Sequence, residues 1–459
     1  MDIISHERFN ATVIDIALPD GAPVARYGGM VVFLDKGVVG DVIEGRIILR
    51  KKKFAYGIVD SIVTPSVNRV VPECRYFGSC GGCVCQDMSY DRQLVVKRNY
   101  LSKTLKSMGN VEPSLLESIV LEPSVNVYRY RNKISFSFGL ENGKPVIGLQ
   151  QKVFPPGSKN PDVIKIHECP IFGNSFEPLL RIIEEHFSAK EYSVYDPASK
   201  SGFLRNLVIR RSQQTGDLQV VLYTMDGSVS DMDGLYRKVI EALPAVKSFY
   251  HIIHTHSFDS FGDYRIAACY GDSAIIEECG GIRLKVYPQT FIQPNTLAAN
   301  LMYNTIQEWV KQIQPVAILG LYCGSAAMEL SVASFAKKIT GVDANPTNIV
   351  AALENAQLNA ITNCRFINHT VEQFLKTQKR IKPSLILIDP PRNGISKHAI
   401  SAIAGLNAGY ILYISCNAAS LSRDIAVLQT KGYAPVKIHA FDQFPHTGHI
   451  ESMVLLRRT

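Results

Sequence analysis

The sequence contains no run of about 18 uncharged apolar residues, so no segment reads as a membrane helix. Its first residues, MDIISHERFN, lack the basic-then-apolar layout of a signal peptide. The expected location is therefore the cytoplasm, with no membrane partner. There is no internal repeat and no low-complexity stretch, so any division into domains must be read from changes of hydrophobic period. Charge is also moderate, at 20% of residues with a net +8. That excess is compatible with a polyanionic partner, and it is densest at Arg50, Lys51, Lys52 and Lys53, a run that by itself reads first as a solvated face. No obligate protein partner is signalled.

What is present is ordinary globular material, 459 residues of which 46% are hydrophobic. This suffices for roughly two to four domains of about 100–200 residues each. Residues 1–66 alternate short β-type runs (ATVIDIAL, GMVVFL, DVIEGRIIL, FAYGIVDSIV) with Gly, Pro and Asp turns, the pattern of a small oligonucleotide-binding barrel. Residues 67–285 mix strands such as KISFSFGL and DLQVVLYT with helical stretches such as FEPLLRIIEEHF, an α+β middle domain. From 286 to 459 strand and helix alternate regularly, through VAILGLYCG, ITGVDANP, SLILIDPP and YILYISCN, as a doubly wound α/β domain does.

The ten cysteines of a cytoplasmic chain do not form a disulfide framework, so the clustered ones point to metal or catalysis. Cys74, Cys80 and Cys83 lie within CRYFGSCGGC, where paired glycines let the backbone wrap a bound centre. A fourth ligand is needed, and both Cys85 and Cys169, in HECPI, are available. Four thiolates hold either zinc or an iron–sulfur cluster, and spacing does not choose between them.

Four further motifs carry chemistry. LYCG, at Leu321 to Gly324, ends a strand, and Asp343 follows nineteen residues beyond Gly324, as in sites that bind a ribose at the end of the second strand. Ala326 stands where a second glycine of a GxG turn would, and no acid stands at Gly320; a cofactor without phosphates, such as S-adenosylmethionine, fits this turn better than a diphosphate. DPPR, at Asp389 to Arg392, is a rigid strand exit with a carboxylate and five donors. Cys416 in YISCN ends another apolar strand 24 residues after Arg392, which places a nucleophile at the same crevice. Near the C-terminus FPHTGHIE offers His446, His449 and Glu451, either a weak metal pattern or a general base.

Taken together, these residues resemble the RNA uracil-5-methyltransferases that use S-adenosylmethionine and carry an iron–sulfur cluster. GMVVFLDKGVVGDVIEGRI is similar to the TRAM domain, and CRYFGSCGGC with HECPI to the cluster signature; TFIQPN, LYCG, NAQLN, DPPRNG, SCN, LSRD and FPHTGHIE follow in the family's order. The resemblance implies a multi-domain enzyme: a TRAM-like barrel, a central α+β domain with a 4Fe-4S cluster, and a C-terminal Rossmann-like class I methyltransferase domain. It implies Cys74, Cys80, Cys83 and Cys169 as cluster ligands, with Cys85 outside the pattern. It places Gln293, Tyr322, Asp343 and Asp389 at the cofactor, Cys416 as nucleophile and Glu451 as base. It further implies a structured RNA as partner, ribosomal RNA before transfer RNA. Gly320 and Ala326 depart from the family, which has an acid and a glycine there, and both departures touch the cofactor turn. An RNA-binding protein with a decayed site is one rival. An adenine amino-methyltransferase is another, which Arg392 after the prolines and SCN disfavour. A third, an electron-transfer role for the cluster, lacks a second redox centre.

Overall fold

The computed structural model describes residues 7–158, 160–173, 176–190, 192–255, 264–377 and 381–459. The first six residues of the expected barrel thus lie outside the described residues. No helix among those described is long and apolar enough to cross a membrane.

The N-terminal strands form one six-stranded sheet in the spatial order first, fifth, sixth, fourth, third, second. Val42–Arg50 shows why it forms: Ile43, Gly45 and Ile47 face inward while Glu44 and Arg46 face solvent, the two-residue period of a half-buried strand. Ile43 and Ile47 pack with Phe9, Val32, Leu34 and Val59. The buried Asp41 accepts from the Val38 and Ser66 amides (2.7 and 2.8 Å) and pairs with Arg69, which also reaches Asp87 at 3.1 Å. This network ties the sheet to the cysteine-bearing segment.

The middle of the chain folds as a seven-stranded sheet from Lys133–Glu141 to Tyr264–Gly271, antiparallel except where Leu218–Thr224 runs parallel to Val246–His254. Helices Glu177–Ser188 and Met232–Ala242 cover one face through Leu179, Ile183, Leu235 and Val239.

The third sheet has eight strands. Cys364–Asn368, Lys338–Asp343, Ala317–Leu321, Leu385–Ile388 and Tyr410–Ser415 are parallel in that order; Glu451–Arg458 and Tyr433–Phe441 follow, and Val120–Glu122 closes the edge. Leu385–Ile388 is buried on both faces: Leu385 and Leu387 enter one core, Ile386 and Ile388 the other. Double coverage makes such strands read as unbroken apolar runs.

This sheet takes in more of the chain than the change of period implies. Helix Tyr90–Gly109 packs through Leu101 and Leu105 into the same core as Leu421 and Ile425 of helix Ala418–Gln429. The edge strand Val120–Glu122 and the hairpin Ile275–Cys279/Ile282–Val286 also sit on the C-terminal layer. The physical reason is that an isolated helix and a three-residue strand carry no period of their own, so their apolar faces do not reveal which core they join.

Candidate active site

Register alone brings Cys416 and Glu451 together. Glu451–Arg458 runs antiparallel to Tyr410–Ser415 with Ser415 opposite Ser452, so the next residues along, Cys416 and Glu451, meet at the end of the pair. Leu385–Ile388 lies on the other side of Tyr410–Ser415, and Asp389 follows it immediately. Cys416 is half-buried and Glu451 is 3% exposed. Burial, with Glu451 and Asp389 nearby, pushes the Cys416 thiol up to about 11, and the hydrogen-bonded Arg392 guanidinium opposes them. Burial and then Asp389 hold the Glu451 carboxyl well above the carboxylate range, again against Arg392. Burial carries Asp389 up to about 7. Three acids thus share one corner with a single arginine.

The DPPRNG loop that carries Arg392 is fixed by the helix after Cys416. Asn417 caps that helix and donates from Nδ2 to the Arg392 carbonyl at 2.9 Å. Asp424 Oδ2 accepts from the Ile395 amide (2.9 Å) and the Tyr413 hydroxyl (2.7 Å), and Arg423 donates to the Asn393 carbonyl at 2.9 Å. LSRD is therefore the clamp for DPPRNG. At Gly394, with φ +74°, a Cβ would lie 2.5 Å from Arg423 Nη2 and 2.6 Å from Asp424 Oδ2.

At the cofactor turn the backbone is left-handed at Tyr322, Gly324 and Ala326 (φ 61°, 54° and 66°). Asp343 receives the Gly324 amide at 2.9 Å and the Asn345 amide at 2.8 Å, locking the turn to the second strand. NAQLN is the outer brace. Asn355 donates to the Ser325 carbonyl (3.1 Å) and accepts from the Lys285 amide (2.8 Å), while Asn359 makes a reciprocal pair with the Arg283 backbone. TFIQPN completes the wall: Asn132 holds the Gln293 carbonyl at 2.8 Å, and Asn295 caps helix Thr296–Ile313. Gln293, Tyr322, Gly324 and Asp389 line one narrow cleft, with Phe291 exposed at its mouth. Asp343 stands behind the cleft, at the amide of Gly324.

FPHTGHIE is held from below by helix Tyr90–Gly109. Lys97, 1% exposed, donates to Asp442 Oδ1 (2.7 Å) and to the Phe444 carbonyl (2.9 Å), and Gln93 accepts from the His446 amide at 2.9 Å. His446 stacks on Tyr128 with ring centroids 4.4 Å apart. Its imidazole faces Gln93 and Tyr128, so it belongs to the clamp.

Cys74, Cys80, Cys83 and Cys169 line a single cavity of about 700 Å³. Cys85 lies elsewhere, with Sγ 3.9 Å from the Thr447 carbonyl and packed beside Val38, Val39 and Met88. Burial raises the four cavity thiols, Cys83 to about 12 and Cys169 to about 11. Among the described residues no group of three His, Cys, Asp or Glu side chains is arranged to hold a metal ion.

Four contributors escaped sequence reasoning as site residues. Lys97 carried a signal, a lysine spaced four residues from both Gln93 and Leu101 on the buried face of its helix. Arg423 and Asp424 carried none beyond their motif. Glu329, next to the cleft wall, has no local signature at all.

A family model described as tRNA (uracil-5-)-methyltransferase matches residues 280–459. An uncharacterized RNA methyltransferase of Clostridium tetani is 31% identical over 95% of this chain and 94% of its own length. Another, of Caldanaerobacter subterraneus subsp. tengcongensis, is 32% identical over 92% and 93%. The fold resembles that of the Pyrococcus abyssi tRNA (uracil-54, C5)-methyltransferase solved with S-adenosyl-L-homocysteine, with a TM-score of 0.74, 24% identity, and coverage of 97% of this chain and 100% of that one. With relatives matched end to end and the methyltransferase sheet in place, the chain belongs to the S-adenosylmethionine-dependent RNA uracil-5-methyltransferases.

Proposed function

We propose that this enzyme methylates carbon 5 of a uridine in a structured RNA through a covalent bond between Cys416 and carbon 6. The observation that carries the reading is the strand register that sets Cys416 against Glu451 beside Asp389 and Arg392. Carbon 5 of uracil is a weak nucleophile, and addition of a thiolate at carbon 6 turns the ring into an enolate whose carbon 5 is a strong one. Arg392 stabilises that thiolate. S-adenosylmethionine, when bound, supplies an electrophilic methyl group. Glu451 then takes the carbon 5 proton, the Cys416–carbon 6 bond breaks, and 5-methyluridine leaves. While the sulfur is anionic it opposes ionisation of Glu451; once it is a neutral thioether that repulsion is gone, so the base becomes competent after the adduct has formed.

Gln293, Tyr322, Asp343 and Asp389 are the cofactor residues in this reading, with Asp343 toward the ribose. The N-terminal sheet acts as the TRAM-like barrel, holding RNA with Lys51, Lys52 and Lys53, and residues 67–285 contribute the cysteine centre. Cys74, Cys80, Cys83 and Cys169 line one cavity and lie close enough to raise one another's thiols, which supports a four-cysteine centre such as a 4Fe-4S cluster. The chain works in the cytoplasm without an obligate protein partner. Ribosomal RNA is the first reading of the substrate, from the barrel-plus-cluster layout. Transfer RNA is the second, favoured by the description of the family model.

Glu451→Gln tests the mechanism. With S-adenosylmethionine and cellular RNA the variant should accumulate a covalent protein–RNA species, and sequencing the bound RNA would identify the substrate. Formation of free 5-methyluridine at the wild-type rate would refute the assigned base.

A further inference from the structure

Gly320 sits in the middle of the first parallel strand, between Gly341 and Leu387 across the sheet, and is buried. A glycine there gives up side-chain packing and backbone entropy. The space is taken instead by Glu329, from the short helix after the cofactor turn, whose carboxylate lies where a Cβ at position 320 would go. Glu329 is 0% exposed, and neither carboxylate oxygen has a hydrogen-bond partner. Two other carboxylates near the cleft are occupied: Glu277 accepts from the Gln213 amide and Thr296 hydroxyl, and Asp343 from the Gly324 and Asn345 amides. A buried carboxylate with both oxygens orphaned is costly unless a ligand completes it.

Its surroundings show which ligand. Ala327, Met328, Tyr303 and Cys323 line the cleft, and Glu329 lies close enough to raise both the Tyr303 hydroxyl and the Cys323 thiol. Burial pushes Glu329 itself up to about 8, with Asp389 and Asp343 adding to the effect from either side. A cation arriving beside Glu329 and Asp389 relieves both. We propose that Glu329 is the carboxylate that pairs with the α-ammonium of S-adenosylmethionine, supplied from the helix because the strand position, Gly320, cannot supply it. Glu329, on the helix after the turn, is near both Asp343, assigned to the ribose, and Asp389, beside Cys416, so it would be placed to hold the amino-acid end of the cofactor. This assignment rests on the cofactor identity already given.

Calorimetric titration of the full chain with S-adenosylhomocysteine and with 5′-methylthioadenosine tests it. S-adenosylhomocysteine keeps the ammonium on a neutral sulfur; methylthioadenosine lacks the amino-acid end. Glu329→Gln should weaken S-adenosylhomocysteine by about 10- to 100-fold, the loss expected for a charge-assisted hydrogen bond, and leave methylthioadenosine unchanged. Gly320→Asp combined with Glu329→Ala should recover the lost affinity. Equal weakening of both ligands, or unchanged affinity for S-adenosylhomocysteine, would overturn the ammonium contact. A wild-type chain that binds neither ligand would overturn the cofactor reading itself, a separate outcome.

Discussion

At Cys416 the structure sets a sharper requirement than a nucleophile in a crevice. A thiol held at about 11 by burial and two carboxylates is protonated at neutral pH, so its thiolate fraction limits addition. The pKa is raised, so the competent form is present at high pH and is lost as pH falls. Adduct formation should therefore rise about tenfold per unit from about pH 7 to about pH 9. Arg392→Ala removes the opposing cation and should slow addition by about tenfold or more at fixed pH, while cofactor affinity holds. Quench-flow trapping of the protein–RNA adduct measures both, and a flat pH profile would contradict them. Gly394 makes a separate residue-level case. Gly394→Ala should cost about 1–2 kcal/mol for the left-handed backbone alone, and its Cβ would also push apart Arg423 and Asp424. A lowered Tm together with slowed adduct formation is the expected result.

Among the elements, helix Tyr90–Gly109 turns out to be part of the catalytic layer, since Lys97 and Asp442 form an ion pair that is almost wholly buried beneath the loop leading to Glu451. Breaking one side strands the other charge: Lys97→Met should destabilise by about 3–5 kcal/mol, read as a lower denaturant midpoint. An unchanged midpoint would show the pair to be dispensable. The elements most legible in the sequence were the parallel strands, because apolar runs buried on both faces end in motif residues that chemistry singles out, as at Ile388–Asp389 and Ser415–Cys416. The meeting of Cys416 with Glu451 was legible as a shared crevice; the antiparallel register that produces it was not, since pairing across 35 intervening residues leaves no local trace. The clamps by Lys97, Arg423 and Asp424 were hidden for the same reason. Gly320 and Ala326 read as defects in the cofactor turn, yet Ala326 takes the left-handed conformation that glycine would, and Glu329 fills the space over Gly320.

Over the whole molecule, the N-terminal and middle sheets line one cysteine-bearing cavity, and the cleft lies at the strand ends of the third sheet. In the proposed mechanism Cys416 attacks a face of uracil that a stacked helix hides, so the target would have to be single-stranded or flipped into the cleft. The fold does not separate ribosomal from transfer RNA as substrate, since a tRNA enzyme shares it over 97% of this chain. The most direct test is to incubate anaerobically purified protein with S-adenosylmethionine and cellular RNA containing 5-fluorouridine. Fluorine cannot leave as a cation, so a covalent protein–RNA adduct should form, require the cofactor, vanish in Cys416→Ala, and yield the substrate on sequencing. Absence of any adduct from wild-type protein that binds both RNA and cofactor would contradict covalent catalysis by Cys416.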